Sequence, residues 1–150
     1  MKKLLITNAR LINEGDVIDA DVLIHGERIE KIAPSIAATD PVDVIDAAGK
    51  VLMPGMIDDQ VHFREPGMTH KGDLASESAA AAAGGITSFM DMPNVNPLTT
   101  TRAKLADKYA LADGRCTGNY GFYFGATNSN IEEIRALRLG EACGIKAFLG

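Results

Sequence analysis

Polar side chains suited to an active site stand at the end of one apolar stretch of the sequence. Asp58, Gln60, His62 and Arg64 recur at two-residue spacing, and in a β-strand residues at this spacing share one face. The pattern predicts that the four side chains point the same way. A neutral imidazole binds metal ions such as zinc, and a guanidinium binds a carboxylate through two hydrogen bonds. The segment therefore indicates a metal ligand beside a cation, which suits an anionic substrate.

Each of these residues also has a plainer interpretation. A lone histidine such as His62 is more often hydrogen-bonded in the core than bound to a metal. Arg64 alone would more often form a surface salt bridge with Glu65 or another nearby acid. Asn94 lies in a loop bounded by two prolines, where its amide either binds a polar ligand or simply forms a turn.

Lys146 is unusual because its neighbours along the chain, Ile145, Ala147 and Phe148, are apolar. Burial disfavours a charged ammonium and favours the neutral amine. A neutral amine can react with carbon dioxide to give a carbamate, whose two oxygens can bridge two metal ions. The alternative is a lysine whose head reaches the end of its strand and pairs with an acid.

The predicted elements place these residues at one edge of a sheet. Strands are expected over residues 56–62, 86–90, 119–124 and 145–149. Three helices are expected between them: one capped by Asp73 and ending at Gly84, one over residues 100–113, and one opened by a capping box at residues 129–132 and closed by Gly140. The carboxyl ends of parallel strands are where sites gather in α/β proteins.

The alternation of strands and helices predicts an α/β fold with a parallel sheet and right-handed crossovers. A barrel and an open doubly wound sheet both fit this pattern, and the first crossover lacks the glycine-rich fingerprint of a dinucleotide site. An eight-stranded barrel takes roughly 250 residues. The chain is therefore expected to hold the N-terminal half of a (β/α)8 TIM-type barrel, which would leave an apolar sheet edge if it were isolated.

Residues 1–52 form a separate region of short strands without a catalytic cluster. Strands are expected over residues 3–12, 20–25, 28–32 and 42–45, and the middle pair flanks a turn at Gly26-Glu27 that indicates a hairpin.

Composition restricts the classes of partner. The 150 residues are 46% hydrophobic and carry a net charge of −5, which argues against a nucleic-acid partner. No stretch is long and apolar enough to span a bilayer, and no secretory signal is evident, so a cytoplasmic protein is expected. Cys116 and Cys143 are too few for a disulfide framework and are expected to be reduced.

Two motifs resemble those of the dihydroorotases, which are cyclic amidases of the amidohydrolase superfamily. The first is His-Phe-Arg-Glu-Pro-Gly at residues 62–67. The second is Ala-Ala-Ala-Gly-Gly-Ile-Thr at residues 81–87, followed by Asp-Met-Pro-Asn at residues 91–94. The resemblance implies that residues 1–52 are the N-terminal strands of a small composite β-sandwich. It also implies that residues 53–150 are the first half of a metal-dependent hydrolase barrel that continues beyond this chain.

The activity implied by the resemblance is the zinc-dependent, reversible cyclisation of N-carbamoyl-L-aspartate to L-dihydroorotate in de novo pyrimidine (UMP) biosynthesis. His62 resembles a first-strand zinc ligand, and Arg64 and Asn94 resemble the pair that holds the substrate carboxylate. Lys146 resembles the carbamylated lysine that bridges the metals, which makes it both a metal ligand and a catalytic residue. One or two zinc ions, a small-molecule substrate and a homo-oligomer are expected, with neither nucleic acid nor membrane as partner. Association with another enzyme of the pathway is a further expectation.

One residue departs from the family pattern. The first-strand motif of the family is His-x-His, and Gln60 occupies its first position here. A neutral amide binds zinc more weakly than imidazole does. Two alternatives therefore stay open: another cyclic amidase of the allantoinase or hydantoinase type, and a non-catalytic relative of dihydroorotase that serves as a structural partner.

Overall fold

The computed structural model describes residues 2–39 and 41–149, which form two compact units that divide after Pro54. The described part of the N-terminal unit is a five-stranded sheet. Its strands are β1 (Lys3–Asn13), β2 (Asp16–His25), β3 (Arg28–Ala33), β4 (Asp43–Asp46) and β5 (Val51–Leu52).

The N-terminal sheet combines antiparallel and parallel pairing. Its order is β3-β2-β1-β4, and β5 also pairs with β1. The predicted hairpin between β2 and β3 is present. A second hairpin, which was not predicted, joins β1 to β2. Its turn residues Glu14 and Gly15 both have positive φ, at 51° and 90°, as a tight turn between twisted strands requires.

The second unit alternates strands and helices. Its elements are β6 (Met56–Val61), α1 (Leu74–Ala83), β7 (Ile86–Asp91), α2 (Arg102–Ala112), β8 (Asn119–Gly125), α3 (Ile131–Arg135) and β9 (Gly144–Lys146). The strands are parallel and lie in the order of the sequence, β6-β7-β8-β9. A doubly wound sheet reverses its strand order at a switch point, so this unbroken order favours the barrel. None of the helices within the described ranges is long and apolar enough to cross a membrane.

The core of this unit lies between the sheet and the helices. Helix α1 contacts β7, helix α2 contacts β8, and the two helices contact each other, so both cover the same face of the sheet. The buried cluster consists of Val61, Phe63, Leu74, Phe89, Leu105, Ala112, Phe122 and Phe124. The other face would be the interior of a closed barrel, where inward side chains meet.

The first helix begins as predicted. The carboxylate of Asp73 accepts hydrogen bonds from Ala75 N and Ser76 N, both at 2.9 Å, and thereby satisfies two backbone donors that the helix cannot. The chain leaves α1 through Gly84 and Gly85.

Three predicted boundaries in the last third of the chain are wrong. The capping box at residues 129–132 does not form, and α3 ends at Arg135 rather than near Gly140. The helix begins after Asn130, so Ser129 is not its N-cap. The side chain of Asn130 is engaged elsewhere, because its oxygen accepts from Thr127 N and its amide donates to Thr100 O and Gly125 O. Strand β9 ends at Lys146 rather than at residue 149, because its pairing with β8 ends at Gly125.

Phe122 is fully buried between the sheet and α2. We expect Phe122→Ala to lower the free energy of unfolding by about 3–5 kcal/mol, because it removes apolar contacts and leaves a cavity. Urea unfolding of the whole protein measures this change. Phe122→Leu keeps most of the volume and serves as the matched control, with a clearly smaller loss. A loss for Phe122→Ala of less than about 1 kcal/mol would contradict the packing described.

Candidate functional site

The residues selected from the sequence lie at the carboxyl ends of the parallel strands. His62 directly follows β6, Asn94 lies three residues after β7, and Lys146 is the last residue of β9. In parallel α/β proteins this edge of the sheet carries the functional groups. Strand β6, which His62 follows, and strand β9, which Lys146 ends, are the two outermost of the four strands. The side chains of His62 and Lys146 can therefore converge only if the sheet curves, as the strands of a barrel do.

The prediction that four polar side chains share one face of a regular strand is wrong. Asp58 pairs with Phe89 and Val61 pairs with Asp91, so three residue steps on β6 face two on β7. This is a β-bulge, which interrupts the alternation of side chains. Gln60 lies inside it, exposed, with its backbone N–H donating to Asp58 Oδ1 at 3.0 Å.

Alternation resumes after the bulge. Val61, Phe63 and Glu65 are buried, whereas His62 is exposed and Arg64 is half-buried. His62 and Arg64 thus lie on the side away from the core. The β-bulge separates Asp58 and Gln60 from this pair.

His62 and Asn94 are brought into direct contact, with His62 Nδ1 lying 2.9 Å from Asn94 Oδ1. An amide oxygen can only accept, so the proton of this hydrogen bond belongs to Nδ1. The other nitrogen of the neutral ring, Nε2, then carries a free lone pair. This tautomer, fixed by a partner on the far nitrogen, is the usual state of a histidine that binds a metal.

The loops after β6 and β7 are locked to each other through their backbones. Asn96 N donates to Pro66 O at 3.0 Å, and Met92 N donates to Val61 O at 3.0 Å. Gly67 has a φ of 80°, and a Cβ there would lie 1.9 Å from Asn96 O, so only glycine fits at this position. The lock holds the segments of Arg64 and Asn94 close together.

Glu65, the acid next to Arg64 in the sequence, pairs with Arg115 rather than with Arg64. Arg115 approaches Glu65 with two nitrogens, at 2.8 and 3.1 Å, and Leu74 N donates to Glu65 Oε2 at 2.9 Å. Burial raises the pKa of Glu65, but the hydrogen bonds of Arg115 and Leu74 and the charge of Arg115 together hold that pKa below its ordinary value. Within residues 2–39 and 41–149, the guanidinium of Arg64 has neither a hydrogen bond nor an ion pair.

Lys146 has a mixed environment. It is half-buried, and its Nζ lies 5.5 Å from the centroid of the Phe148 ring, within the range of a cation–π contact. Its carbonyl accepts from Ala126 N at 2.8 Å. No carboxylate pairs with it in the part of the chain that the structure describes, so the predicted alternative of an acid partner is not seen there.

The donor groups fit a metal site only in part. Nowhere in the two described ranges do three or more His, Cys, Asp or Glu side chains come together as a metal would require. His62 fits, because its Nε2 lone pair is available, and Lys146 could contribute oxygens only as a carbamate. Gln60 fits poorly, since its amide is a weak donor for zinc.

A buried ion pair beneath the site was not predicted from the sequence. Lys108 Nζ lies 2.7 Å from Asp91 Oδ2, and both side chains are fully buried. Burial lowers the pKa of Lys108, and the charge of Asp91 opposes that shift. The signal was present in the sequence, because Leu105, Lys108 and Ala112 share one face of a helix and place a lysine in its apolar stripe.

The comparisons with known proteins agree with this architecture. Residues 51–148 match the Amidohydrolase family. An allantoinase from Solibacter usitatus is 36% identical over 150 residues, which are 99% of this chain and 32% of that protein. A dihydroorotase from Streptococcus thermophilus is 46% identical over 106 residues, 69% of this chain and 25% of that protein.

A solved structure covers almost the whole chain. The L-hydantoinase (dihydropyrimidinase) from Arthrobacter aurescens superposes with a TM-score of 0.86 at 31% identity, over 97% of this chain and 32% of that one. The predicted fold class, a TIM-type barrel half preceded by the strands of a small sheet, is confirmed. The chain spans about a quarter to a third of the length of these proteins.

Replacement of Arg115 should lower the free energy of unfolding by an amount that depends on pH. A carboxylate whose pKa is lowered in the folded state stabilises the protein above its unfolded pKa, and the stabilisation is lost as the pH falls through the folded pKa. In Arg115→Met, Glu65 keeps its burial but loses its main partner. The deficit in the free energy of unfolding relative to the wild type should be largest near pH 7 and should shrink below about pH 4.

Urea unfolding across this pH range measures the deficit. The control introduces Arg115→Met into a Glu65→Gln background, where the deficit should vary much less with pH; the remaining variation comes from Asp73, whose Oδ1 lies 4.0 Å from Arg115. A deficit that is the same at both ends of the range in the Glu65 background would contradict the role given to this pair.

Proposed function

The chain belongs to the amidohydrolase family, and on that basis we propose that the whole protein is a metal-dependent cyclic amidase of the dihydroorotase type. Its reaction would be the reversible cyclisation of N-carbamoyl-L-aspartate to L-dihydroorotate. In the hydrolytic direction the ring C–N bond breaks, water supplies the hydroxyl of the new carboxyl group, and a proton goes to the nitrogen. Ring closure reverses these changes and releases water.

The observation that carries this proposal is the contact between His62 and Asn94, together with the guanidinium of Arg64, which has no partner among the described residues. Because Asn94 Oδ1 is engaged by His62, the amide Nδ2 remains as a donor. Arg64, in the adjoining loop, offers a guanidinium without an acidic partner in the described residues. Together they form a cation and an amide donor suited to the carboxylate of a ring substrate. The 46% identity to a dihydroorotase supports the same proposed function.

The residues fit a metal through His62 Nε2 and through Lys146 as its carbamate. The carbamate would form when the neutral Nζ attacks carbon dioxide and releases one proton, which leaves an anion with two oxygens. A bound zinc ion supplies Lewis acidity and lowers the pKa of a water ligand to near neutrality. Asn94 would hold the imidazole of His62 in orientation, and Arg64 would fix the substrate by its carboxylate.

The wider organisation of the protein is proposed on the same basis. Residues 1–52 would be strands of a composite β-sandwich, and residues 53–150 the first half of the hydrolase barrel. A small-molecule substrate, a cytoplasmic location and a homo-oligomer, in association with another enzyme of pyrimidine synthesis, complete the proposal. The net charge of −5 is consistent with a protein that does not bind nucleic acid.

A second candidate is a cyclic amidase of the allantoinase or hydantoinase type. It is favoured by the allantoinase alignment over 99% of the chain and by the superposition on an L-hydantoinase. Arg64 distinguishes the candidates, because a ring that carries no carboxylate gains little from a guanidinium. A non-catalytic relative is suggested by Gln60, but such a protein would not need Arg64, Asn94 and Lys146.

The test of the function is a substrate panel with the whole protein. We expect kcat/KM for dihydroorotate to exceed that for allantoin and hydantoin by at least about 100-fold, the discrimination that loss of a charged hydrogen-bond partner produces. Arg64→Met should raise KM for dihydroorotate by about 10- to 100-fold. The exposed Arg28, in the N-terminal unit, provides the control variant Arg28→Met, which should keep the wild-type KM. Preference for allantoin or hydantoin would support the second candidate instead.

Lys146→Ala tests the bridging lysine. We expect kcat to fall by at least about 100-fold, because the Lewis acidity of the metal contributes several kcal/mol, and metal analysis should show fewer bound ions. Short carboxylic acids should restore part of the activity by replacing the carbamate, and the intact wild-type mass should include one carbon dioxide. Lys31→Ala, at an exposed lysine, is the control. Full activity of Lys146→Ala without additives would refute the role.

A further inference from the structure

We propose that the buried pair Asp91–Lys108 positions the two loops that carry His62, Arg64 and Asn94, so that both residues act on the reaction through others. The inference rests on the proposed function for the identity of the substrate. It concerns residues that lie under the candidate site and do not reach its surface.

The aspartate end of the pair holds the loop after β6. Asp91 Oδ1 accepts from Phe63 N at 3.0 Å, and this contact is buried. Phe63 stands between His62 and Arg64 in the sequence, so a bond to its amide restrains the backbone next to both functional residues. A carboxylate that accepts from a backbone N–H forms a charge-assisted hydrogen bond. Asp91 therefore restrains the backbone between His62 and Arg64.

The lysine end holds the loop after β7. Lys108 Nζ donates to Met92 O at 3.0 Å, two residues before Asn94. Its side chain also lies over the ring of Phe122, 4.8 Å from the centroid. Because Lys108 belongs to α2, the pair ties this helix to the ends of β6 and β7.

Stability alone does not explain a pair of charges at this place. Removal of two charges from water is costly, and replacement of a buried ion pair by apolar residues of similar volume is often neutral or stabilising. What apolar residues cannot replace is the set of directed hydrogen bonds to Phe63 N and Met92 O. The pair is thus suited to the placement of loops.

The test compares two double variants of the whole protein. Asp91→Leu/Lys108→Met removes both charges and both backbone contacts, whereas Asp91→Asn/Lys108→Met keeps an oxygen that can accept from Phe63 N. We expect the first to lose about 100-fold in kcat/KM for dihydroorotate, as a displacement of about 1 Å can cause, with a raised KM. The second should have a kcat/KM about tenfold higher than that of the first.

Leu105→Ala is the matched control. It weakens the packing of α2 on the same core without removing a hydrogen bond to either loop. KM does not depend on the concentration of active enzyme, so a merely structural effect leaves it unchanged, and Leu105→Ala should keep the wild-type KM. Wild-type KM in Asp91→Leu/Lys108→Met, or an equal loss in all three variants, would overturn the proposal.

Amide hydrogen exchange provides a readout besides activity. Protection of the Phe63 amide should fall in Asp91→Leu/Lys108→Met and persist in Leu105→Ala, while the amides of β8 stay protected in both. If Asp91→Leu/Lys108→Met does not fold, Asp91→Asn/Lys108→Met decides, because the loss of the bond to Met92 O should still raise KM. If the wild type turns over no cyclic amide, the proposed function fails, and exchange at Phe63 alone supports or overturns the positioning role.

Discussion

Two opposite charges without access to water constrain the geometry of the strand ends. A buried ammonium and a buried carboxylate are tolerated only when each finds the other and its remaining bonding capacity is met. Lys108 Nζ and Asp91 Oδ2 lie 2.7 Å apart, and Phe63 N and Met92 O are further partners of the pair. Strand β6, strand β7 and helix α2 must therefore keep their relative positions, or a charge is left unpaired in the core.

Much of the fold could be predicted from local sequence because local rules decide it. The alternation of strands and helices, the Asp73 cap and the glycines after α1 depend on neighbours a few residues away. Predictions failed where a distant partner decides. The side-chain amide of Asn130 donates to Thr100 O, 30 residues away in the sequence. The bulge in β6 depends on its register against β7, which the sequence of β6 does not contain.

The same division applies to the site. That His62 and Asn94 lie near each other follows from the rule that parallel strands end at one edge, and the motifs marked both residues. Their hydrogen bond, which sets the tautomer of the imidazole, could not be predicted from the sequence, because it depends on the positions of the two side chains in space. Lys108 and Arg115 were not predicted because their partners, Asp91 and Glu65, lie 17 and 50 positions away in the sequence, beyond any helical or strand spacing. A lysine in the apolar stripe of α2 was the one readable sign.

Glu65 shows how a residue outside the site can set the charge inside it. A carboxylate adjacent to Arg64 in sequence would ordinarily compete with an anionic substrate for that guanidinium. The buried carboxylate of Glu65 instead accepts hydrogen bonds from Arg115 and from Leu74 N. The charge of Arg64 is therefore not neutralised by its neighbour. Preference for a ring with a carboxylate would then depend as much on where Glu65 is held as on Arg64 itself.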